Sequence, residues 1–176
     1  FGTGNFGTSA DGIVWNGQTP PAGSGSYANT LVWSGEKWMV RPAFGTGRTV
    51  WAPPSGLSGT WVNVLTMVSD ANNFNQGLVL DGRVALFGIA TTSGGYGGAT
   101  YISDDHGATW AIYPSPTGAP NGWCVGFDNF WLNQNGSMWR SVDAINWIEY
   151  DNPVNPYHFS TGFGNWRIIC LGQAET

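Results

Sequence analysis

The most informative part of the chain is residues 103–110, which read Ser-Asp-Asp-His-Gly-Ala-Thr-Trp. Ser103 and Asp105 have side chains that hydrogen-bond to backbone groups within a tight turn. Gly107 supplies a backbone conformation that other residues resist. Trp110 follows on an apolar strand, where its ring is expected to pack in the core. The stretch therefore predicts a polar turn that leads into a β-strand.

The same turn recurs elsewhere in the chain. Residues 9–15 read Ser-Ala-Asp-Gly-Ile-Val-Trp, and residues 141–147 read Ser-Val-Asp-Ala-Ile-Asn-Trp. A fourth copy at 55–61, Ser-Gly-Leu-Ser-Gly-Thr-Trp, has lost the Asp. The residues predicted to build the three intact turns are Ser9, Asp11, Trp15, Ser103, Asp105, Gly107, Trp110, Ser141, Asp143 and Trp147.

A second repeated element is a hairpin between two apolar strands. Its predicted central pairs are Ser34-Gly35, Asp81-Gly82, Asp128-Asn129 and Gly164-Asn165. These residue types tolerate the positive φ of two-residue hairpin turns. Each pair lies about 20 residues after the Trp of the preceding polar turn, so the two elements alternate regularly along the chain.

This alternation predicts four repeats of about 45 residues. Three of them span approximately 31–61, 78–110 and 123–147. The fourth is split, with its first half at 159–176 and its second half at 1–15. We therefore expect a single all-β domain over residues 1–176, a four-bladed β-propeller closed by strands from both termini.

The composition restricts the class of protein. The 176 residues include 27 Gly and 11 Trp, while only 10% are charged, against about 25% in an average soluble domain. A formal charge of -5 with scattered basic residues excludes nucleic-acid binding through a phosphate-binding patch. No apolar run reaches the roughly 18 residues of a membrane span. Low charge with many aromatic residues favours a virion or extracellular location.

Residues 103–110 resemble the Asp box of the bacterial sialidase repeat, whose pattern is Ser-x-Asp-x-Gly-x-Thr-Trp. Residues 9–15 and 141–147 are similar to a shorter variant found in many bacterial and phage propeller proteins, although Ala144 replaces its Gly. The resemblance implies a β-propeller in which the box is a turn between outer strands of a blade. The box is characteristic of a fold and lies far from the active site in sialidases, so it implies no activity.

Catalytic groups of that family are not matched. A sialidase would need three arginines that grip a carboxylate, a Tyr-Glu pair and an acid/base Asp. Glu149-Tyr150 is adjacent in sequence but directly follows a box Trp. Asp104 and Asp105 are expected to point in opposite directions and to serve the turn. We therefore predict a protein without enzymatic activity.

No cofactor or metal ion is expected. His106 and His158 belong to no metal-ligand motif, and Cys124 and Cys170 have no metal-ligand spacing. The two cysteines are predicted to be buried free thiols, with a disulfide as the alternative. The glycine-rich residues 93–98 lack the Lys of a phosphate-binding loop and are predicted to form a flexible loop at the ring's edge.

Three functions remain open from the sequence. The favoured one is a phage virion-associated module, a tail-fibre or capsid-decoration domain, that contacts a host glycan or other virion proteins. The first alternative is a soluble lectin-like propeller, and the second is a sialidase-like glycoside hydrolase. For an adhesin that binds carbohydrate, the candidate aromatic face consists of Trp38, Trp131 and Trp166, which follow hairpin turns and can stack on sugars.

Overall fold

A computed structural model of the chain describes residues 6–9, 11–18, 28–42, 49–52, 61–67, 76–92, 95–116, 124–126, 129–134, 137–151, 160–164 and 167–171. All regular structure in these ranges is antiparallel β-strand, and no helix occurs within them. The predicted all-β class is therefore confirmed. The short strands alternate with turn residues, as expected for a chain with so many glycines.

The strands form five sheets in chain order. The N-terminal hairpin contains β1 (Phe6–Thr8) and β2 (Asn16–Gln18). Sheet I contains β3 (Ala28–Trp33), β4 (Trp38–Pro42), β5 (Thr49–Ala52) and β6 (Val62–Thr66). Sheet II contains β7 (Gln76–Leu80), β8 (Arg83–Thr92), β9 (Gly95–Ser103) and β10 (Ala111–Pro114). Sheet III contains β11 (Cys124–Gly126), β12 (Phe130–Gln134), β13 (Ser137–Ser141) and β14 (Ile148–Asp151). The C-terminal hairpin contains β15 (Ser160–Gly164) and β16 (Arg167–Leu171).

Sheets I, II and III are meanders in which each strand pairs with the next one along the chain. Each of them covers one of the three uninterrupted repeats expected from the sequence. The N-terminal and C-terminal hairpins are separate two-stranded sheets, and the described strands do not close into a barrel or a propeller.

The hairpin turns agree only in part with the central turn residues that the sequence predicts. Asp81 and Gly82 both have positive φ, 49° and 82°, as the predicted two-residue turn requires. In sheet I, Trp33 pairs with Trp38, so four residues rather than two connect these strands. In the C-terminal hairpin, Gly164 pairs with Arg167. Gly164 therefore belongs to the strand and not to the central turn pair that the sequence predicted.

The structure corrects the prediction of a flexible loop in the glycine-rich segment. Strands β8 and β9 remain paired as far as Thr92 and Gly95, so Gly95–Gly98 extend a hairpin where a flexible loop was predicted. Backbone hydrogen bonds between the two strands do not depend on side-chain type, and an antiparallel ribbon can continue through glycine once its register is set.

Two hydrophobic clusters hold the three sheets together. Seam I–II lies between sheets I and II and consists of Val32, Met39, Val50, Ala52, Met67, Val84, Leu86, Ala99 and Tyr101. Seam II–III lies between sheets II and III and consists of Ala85, Phe87, Ile102, Phe130 and Ala144. Successive residues of β8 alternate between the two seams, because side chains of a strand point to opposite faces. Sheet II is therefore buried on both faces.

The first strands of the three sheets lie side by side, since β3 contacts β7 and β7 contacts β11. Gly77 in β7 makes this approach close. A Cβ atom at this position would lie 2.5 Å from Leu86 Cδ2, 2.8 Å from Val32 Cγ1 and 3.1 Å from Thr30 Cγ2. The absence of a side chain at Gly77 thus allows sheet I to pack on sheet II.

We expect Gly77→Ala to lower the free energy of unfolding by ~1–3 kcal/mol, because the new methyl group would overpack seam I–II. Chemical denaturation measures this change. The matched control is Gly17→Ala in β2, where a Cβ atom would meet no atom within 4 Å. If both variants unfold at the same denaturant concentration, the close approach at Gly77 is not tight in solution.

Candidate functional site

The Asp boxes occupy one place in the strand order. Residues 103–110 connect the third and fourth strands of sheet II, and residues 141–147 connect the third and fourth strands of sheet III. Residues 9–15 connect β1 and β2. Each box Trp directly precedes the next strand, and Trp61 precedes β6 in the same way. Each box therefore introduces a final strand.

Asp105 organises the box of sheet II. Its Oδ1 atom accepts hydrogen bonds from the Ser103 hydroxyl and the Thr109 N–H, both at 2.8 Å. Its Oδ2 atom accepts one from the Thr109 hydroxyl at 2.6 Å. The Ser103 hydroxyl in turn accepts the Gly107 N–H at 2.7 Å. One carboxylate and one hydroxyl thus bind the groups that the turn leaves without backbone partners.

The two shorter boxes repeat this arrangement. Asp143 Oδ1 accepts the N–H groups of Ile145 and Asn146 at 2.9 and 2.8 Å, and also the Ser141 hydroxyl. Asp11 Oδ1 accepts the N–H groups of the two corresponding residues, Ile13 and Val14, at 2.8 and 2.9 Å. The turn role that the sequence assigned to these aspartates therefore accounts for their geometry.

The residue after each short-box aspartate has a left-handed backbone. Gly12 has a φ of 74°, and Ala144 at the same position has a φ of 58°. An alanine in this conformation is strained by about 1–2 kcal/mol. The Ala144 side chain is fully buried in seam II–III, and this burial offsets part of the strain.

Hydrogen bonds to the box carboxylates lower their pKa values. Those from Thr109, followed by that from Ser103, lower the pKa of Asp105 to about 2. Burial raises the pKa of Asp143, but hydrogen bonds from Asn146, Ile145 and Ser141 outweigh it and leave the pKa well below its usual range. Backbone hydrogen bonds from Val14 and Ile13 are the main cause of the lowered pKa of Asp11. All three carboxylates are therefore charged at neutral pH.

The boxes also contact the hairpin turn of the preceding sheet. His106 Nδ1 lies 2.8 Å from the Ser34 carbonyl oxygen, and His106 Nε2 lies 3.5 Å from Glu36 Oε1. Arg83, next to the hairpin turn of sheet II, donates to the Asp143 carbonyl oxygen at 2.8 Å. Arg83 also binds both oxygens of Asp104, at 2.6 and 2.9 Å. Polar contacts thus join the hairpin turns of sheets I and II to the boxes of sheets II and III.

The described arginine side chains have separate structural roles. Arg83 holds two boxes, and Arg140 donates to Asn129 Oδ1 at 3.0 Å. Arg41 is buried, and this burial lowers its pKa to about 10. Arg48 and the side chain of Arg167 lie outside the described part.

Of the three tryptophans predicted to form an aromatic face, the structure describes the side chain of Trp38. Trp38 is 43% exposed and packs at 5.2 Å and 49° against Trp33, which is 45% exposed. Trp131 lies in β12, one strand position further from its turn than Trp38, and its side chain lies outside the description. Trp166 lies outside the described residues. The exposed pair of Trp33 and Trp38 is therefore the candidate contact site that the structure describes.

The box tryptophans differ in their surroundings. Trp110 packs half-buried against seam I–II, and Trp147 packs half-buried against seam II–III with its ring 5.8 Å from that of Phe87. Trp15 is 53% exposed, and its Nε1 donates to the Gly12 carbonyl oxygen. The core role predicted for the box tryptophans thus fits the two boxes that have a neighbouring sheet.

The contacts of Arg83 and His106 with a neighbouring sheet are not predicted by the sequence analysis above. Arg83 and His106 join neighbouring sheets although Asp143 is 60 residues from Arg83 and Ser34 is 72 residues from His106. Their common position relative to the repeats, one beside a hairpin turn and the other inside a box, is the signal that could have indicated them.

Metal and membrane sites are not suggested by the described residues. No group of three or more His, Cys, Asp or Glu side chains among them could hold a metal ion. The same part of the chain contains no helix that could cross a membrane. The side chains of Cys124 and Cys170 lie outside the description.

Comparison with known proteins finds no family model, no curated protein and no solved structure that matches the chain. The resemblance to Asp-box repeats therefore depends on the box residues themselves.

We expect Asp143→Ala to lower the free energy of unfolding by ~1–3 kcal/mol, because two backbone N–H groups would lose their acceptor. Asp104→Ala is the matched control. It removes an exposed ion pair with Arg83, which is worth at most about 1 kcal/mol. Urea unfolding of both variants checks this, and an equal loss would contradict the dominant role of the box carboxylate.

Acid should destabilise the protein between about pH 4 and pH 2. The box carboxylates have folded-state pKa values below their unfolded value of about 3.9. Their contribution is therefore complete above pH 4 and is lost as pH falls through the folded-state values. Unfolding curves between pH 5 and pH 2 measure this loss. Asp105→Asn should reduce the slope in this window, and an unchanged slope would contradict the assignment.

Proposed function

We propose that the chain is a non-enzymatic structural and binding module, a four-bladed β-propeller displayed on a phage virion or another extracellular surface. Other proteins of that particle are its main partners. The observation that carries this proposal is the exposure of Val62, Ile112 and Val142, apolar side chains on two edge strands and in one Asp box, which suit contacts with protein better than a sugar pocket.

The order of the strands supports the propeller. In sheets II and III, a hairpin is followed by a third strand, an Asp box and a fourth strand. The C-terminal hairpin supplies the first two strands of this pattern, and the N-terminal hairpin with its box supplies the last two. Together they have the composition of one further blade.

The connections between sheets support the same arrangement. The segments that join the last strand of sheet I to sheet II and the last strand of sheet II to sheet III are residues 67–75 and 115–123, nine residues each. Residues 19–27, between β2 and sheet I, are also nine. An equal connection fits β2 as the outer strand of a blade next to sheet I.

The outward faces of sheets I and III carry further exposed apolar side chains. In β3, Leu31 and Trp33 are 57% and 45% exposed and alternate with Val32, which is buried in seam I–II. In β14, Ile148 and Tyr150 are 58% and 40% exposed. In the proposed ring these two faces adjoin the fourth blade, which would cover them as a sheet face of this kind requires.

The polar motif residues support a role without catalysis. Each box aspartate is bound by the N–H groups of its own turn. Asp104 is bound by Arg83 rather than paired with Asp105. The carboxylates of the three boxes and Asp104 are therefore engaged in structural contacts.

Glycan binding is the second candidate function, and the exposed pair of Trp33 and Trp38 favours it. Two indole rings tilted by 49° offer apolar faces on which a sugar ring can stack. A repeated lectin site is less well supported, because the residue pair next to the turn is Trp33 and Trp38 in sheet I but Leu80 and Arg83 in sheet II.

Purified particles that contain the chain test the proposal. We expect it to co-purify with capsid or tail proteins in a fixed ratio that survives high salt, because the contacts are apolar. The purified protein should not hydrolyse a fluorogenic sialoside. Release from particles by washing, or sialoside hydrolysis, would overturn the proposal.

A glycan array separates the two candidate partners. We expect no retained glycan for the protein alone. If a glycan is retained, Trp38→Ala should remove that binding by eliminating one stacking surface, whereas Ile112→Ala should preserve it. Ile112 is a suitable control because it is 51% exposed on β10 in another sheet. Retention that depends on Trp38 would favour the adhesin.

A further inference from the structure

Two equivalent apolar residues have different surroundings in the two short Asp boxes. Ile145 and Trp147 are half-buried and pack against seam II–III. Ile13 and Trp15 occupy the same box positions but are 82% and 53% exposed. Both boxes share the hydrogen bonds from the Ser hydroxyl and from two turn N–H groups to the Asp Oδ1 atom, so the fold of the turn does not cause the difference. The difference is that the box of sheet III packs against sheet II, whereas Ile13 and Trp15 are exposed.

The tyrosines of sheets II and III show the complementary difference. Tyr113 lies opposite Thr100 and packs against seam II–III. Tyr150 lies opposite Met138, at the same distance from the box serine of its own sheet, and is 40% exposed. Tyr113 is thus half-buried beside a neighbouring sheet, whereas the equivalent Tyr150 is exposed.

We infer that the outward face of sheet III, with Ile148 and Tyr150, is the docking surface for the N-terminal hairpin. Ile13 and Trp15 are the side chains that bind there. The contact would repeat seam II–III, in which Ile145 and Trp147 of one box meet the face that carries Tyr113. This inference rests on the propeller proposed above and identifies which residues form its closing seam.

The occupant is the hairpin of the same chain. The nine residues that connect β2 to sheet I equal the connections from sheet I to sheet II and from sheet II to sheet III, so the hairpin can reach the position of a neighbouring blade. A covalent tether of this length also gives the hairpin a high effective concentration at the site compared with a second copy.

The charges at the contact are compatible with docking. Asp11 is the carboxylate of the docking box, and it is already bound by the N–H groups of Ile13 and Val14 and by the Ser9 hydroxyl. Asp143 is bound in the same way in the box that packs in seam II–III. A satisfied carboxylate at the edge of a seam therefore does not prevent burial of the neighbouring Ile and Trp.

Serine substitutions in the full chain test the seam. Ile13→Ser should raise the unfolding equilibrium constant roughly 10- to 100-fold, because a buried isoleucine would be lost. Ile145→Ser, at the same position of the packed box, should give a similar change. Val142→Ser is the control, since Val142 is 69% exposed in that same box and should change the constant by less than about 2-fold. If Ile13→Ser behaves like Val142→Ser, the seam is not formed.

Nuclear Overhauser effects in the unaltered protein give an independent test that does not require a variant to fold. We expect contacts between the ring protons of Trp15 and Tyr150 in a uniformly labelled sample. Their absence would overturn the inference. In a mixture of labelled and unlabelled protein, contacts that appear only between molecules would overturn the assignment to the same chain and identify a second copy as the occupant. Loss of the seam with intact particle binding would leave the proposed function standing.

Discussion

The binding of turn N–H groups by a box carboxylate is the interaction on which the rest of this structure depends. Asp105 and Asp143 each hold a turn at the end of a third strand, so that the following Trp enters the fourth strand at a fixed position. Trp110 and Trp147 then pack against the seam with the preceding sheet. A local polar contact thus determines where a large apolar side chain lies, and that side chain joins two sheets.

The three four-stranded sheets differ in how many of their faces are covered by a neighbouring sheet. Sheet II is covered on both faces, and residues such as Val84 and Ala85 are fully buried on opposite sides of one strand. Sheets I and III are each covered on one face by sheet II. Apolar residues on their other faces, including Trp33 and Tyr150, remain exposed. A meander of this type does not bury its own faces, so the two outer sheets each require a neighbour.

Much of the local structure could be predicted from the sequence, because turn chemistry is encoded within a few residues. Asp81-Gly82 has the expected positive φ values, and the box aspartates bind the expected backbone groups. Contacts between distant residues could not be predicted in this way. The bond from Arg83 to the Asp143 carbonyl oxygen depends on how two sheets pack. The extended hairpin at Gly95–Gly98 depends on a register set by neighbouring residues, since glycine itself favours no strand.

Whether an exposed tryptophan of this fold packs in a seam or binds a ligand also depends on the neighbouring sheet. Trp38 was selected from sequence as a ligand-binding residue, yet it lies opposite Trp33 on the face of sheet I that points away from sheet II. Strand alternation makes that face equivalent to one that a neighbouring sheet covers elsewhere in the chain. A ring in such a position can stabilise a seam or stack on a ligand, but not both at once. In the proposed propeller the closing blade and a sugar would compete for this surface, and covering a whole apolar face removes more apolar area from water than binding one sugar ring does.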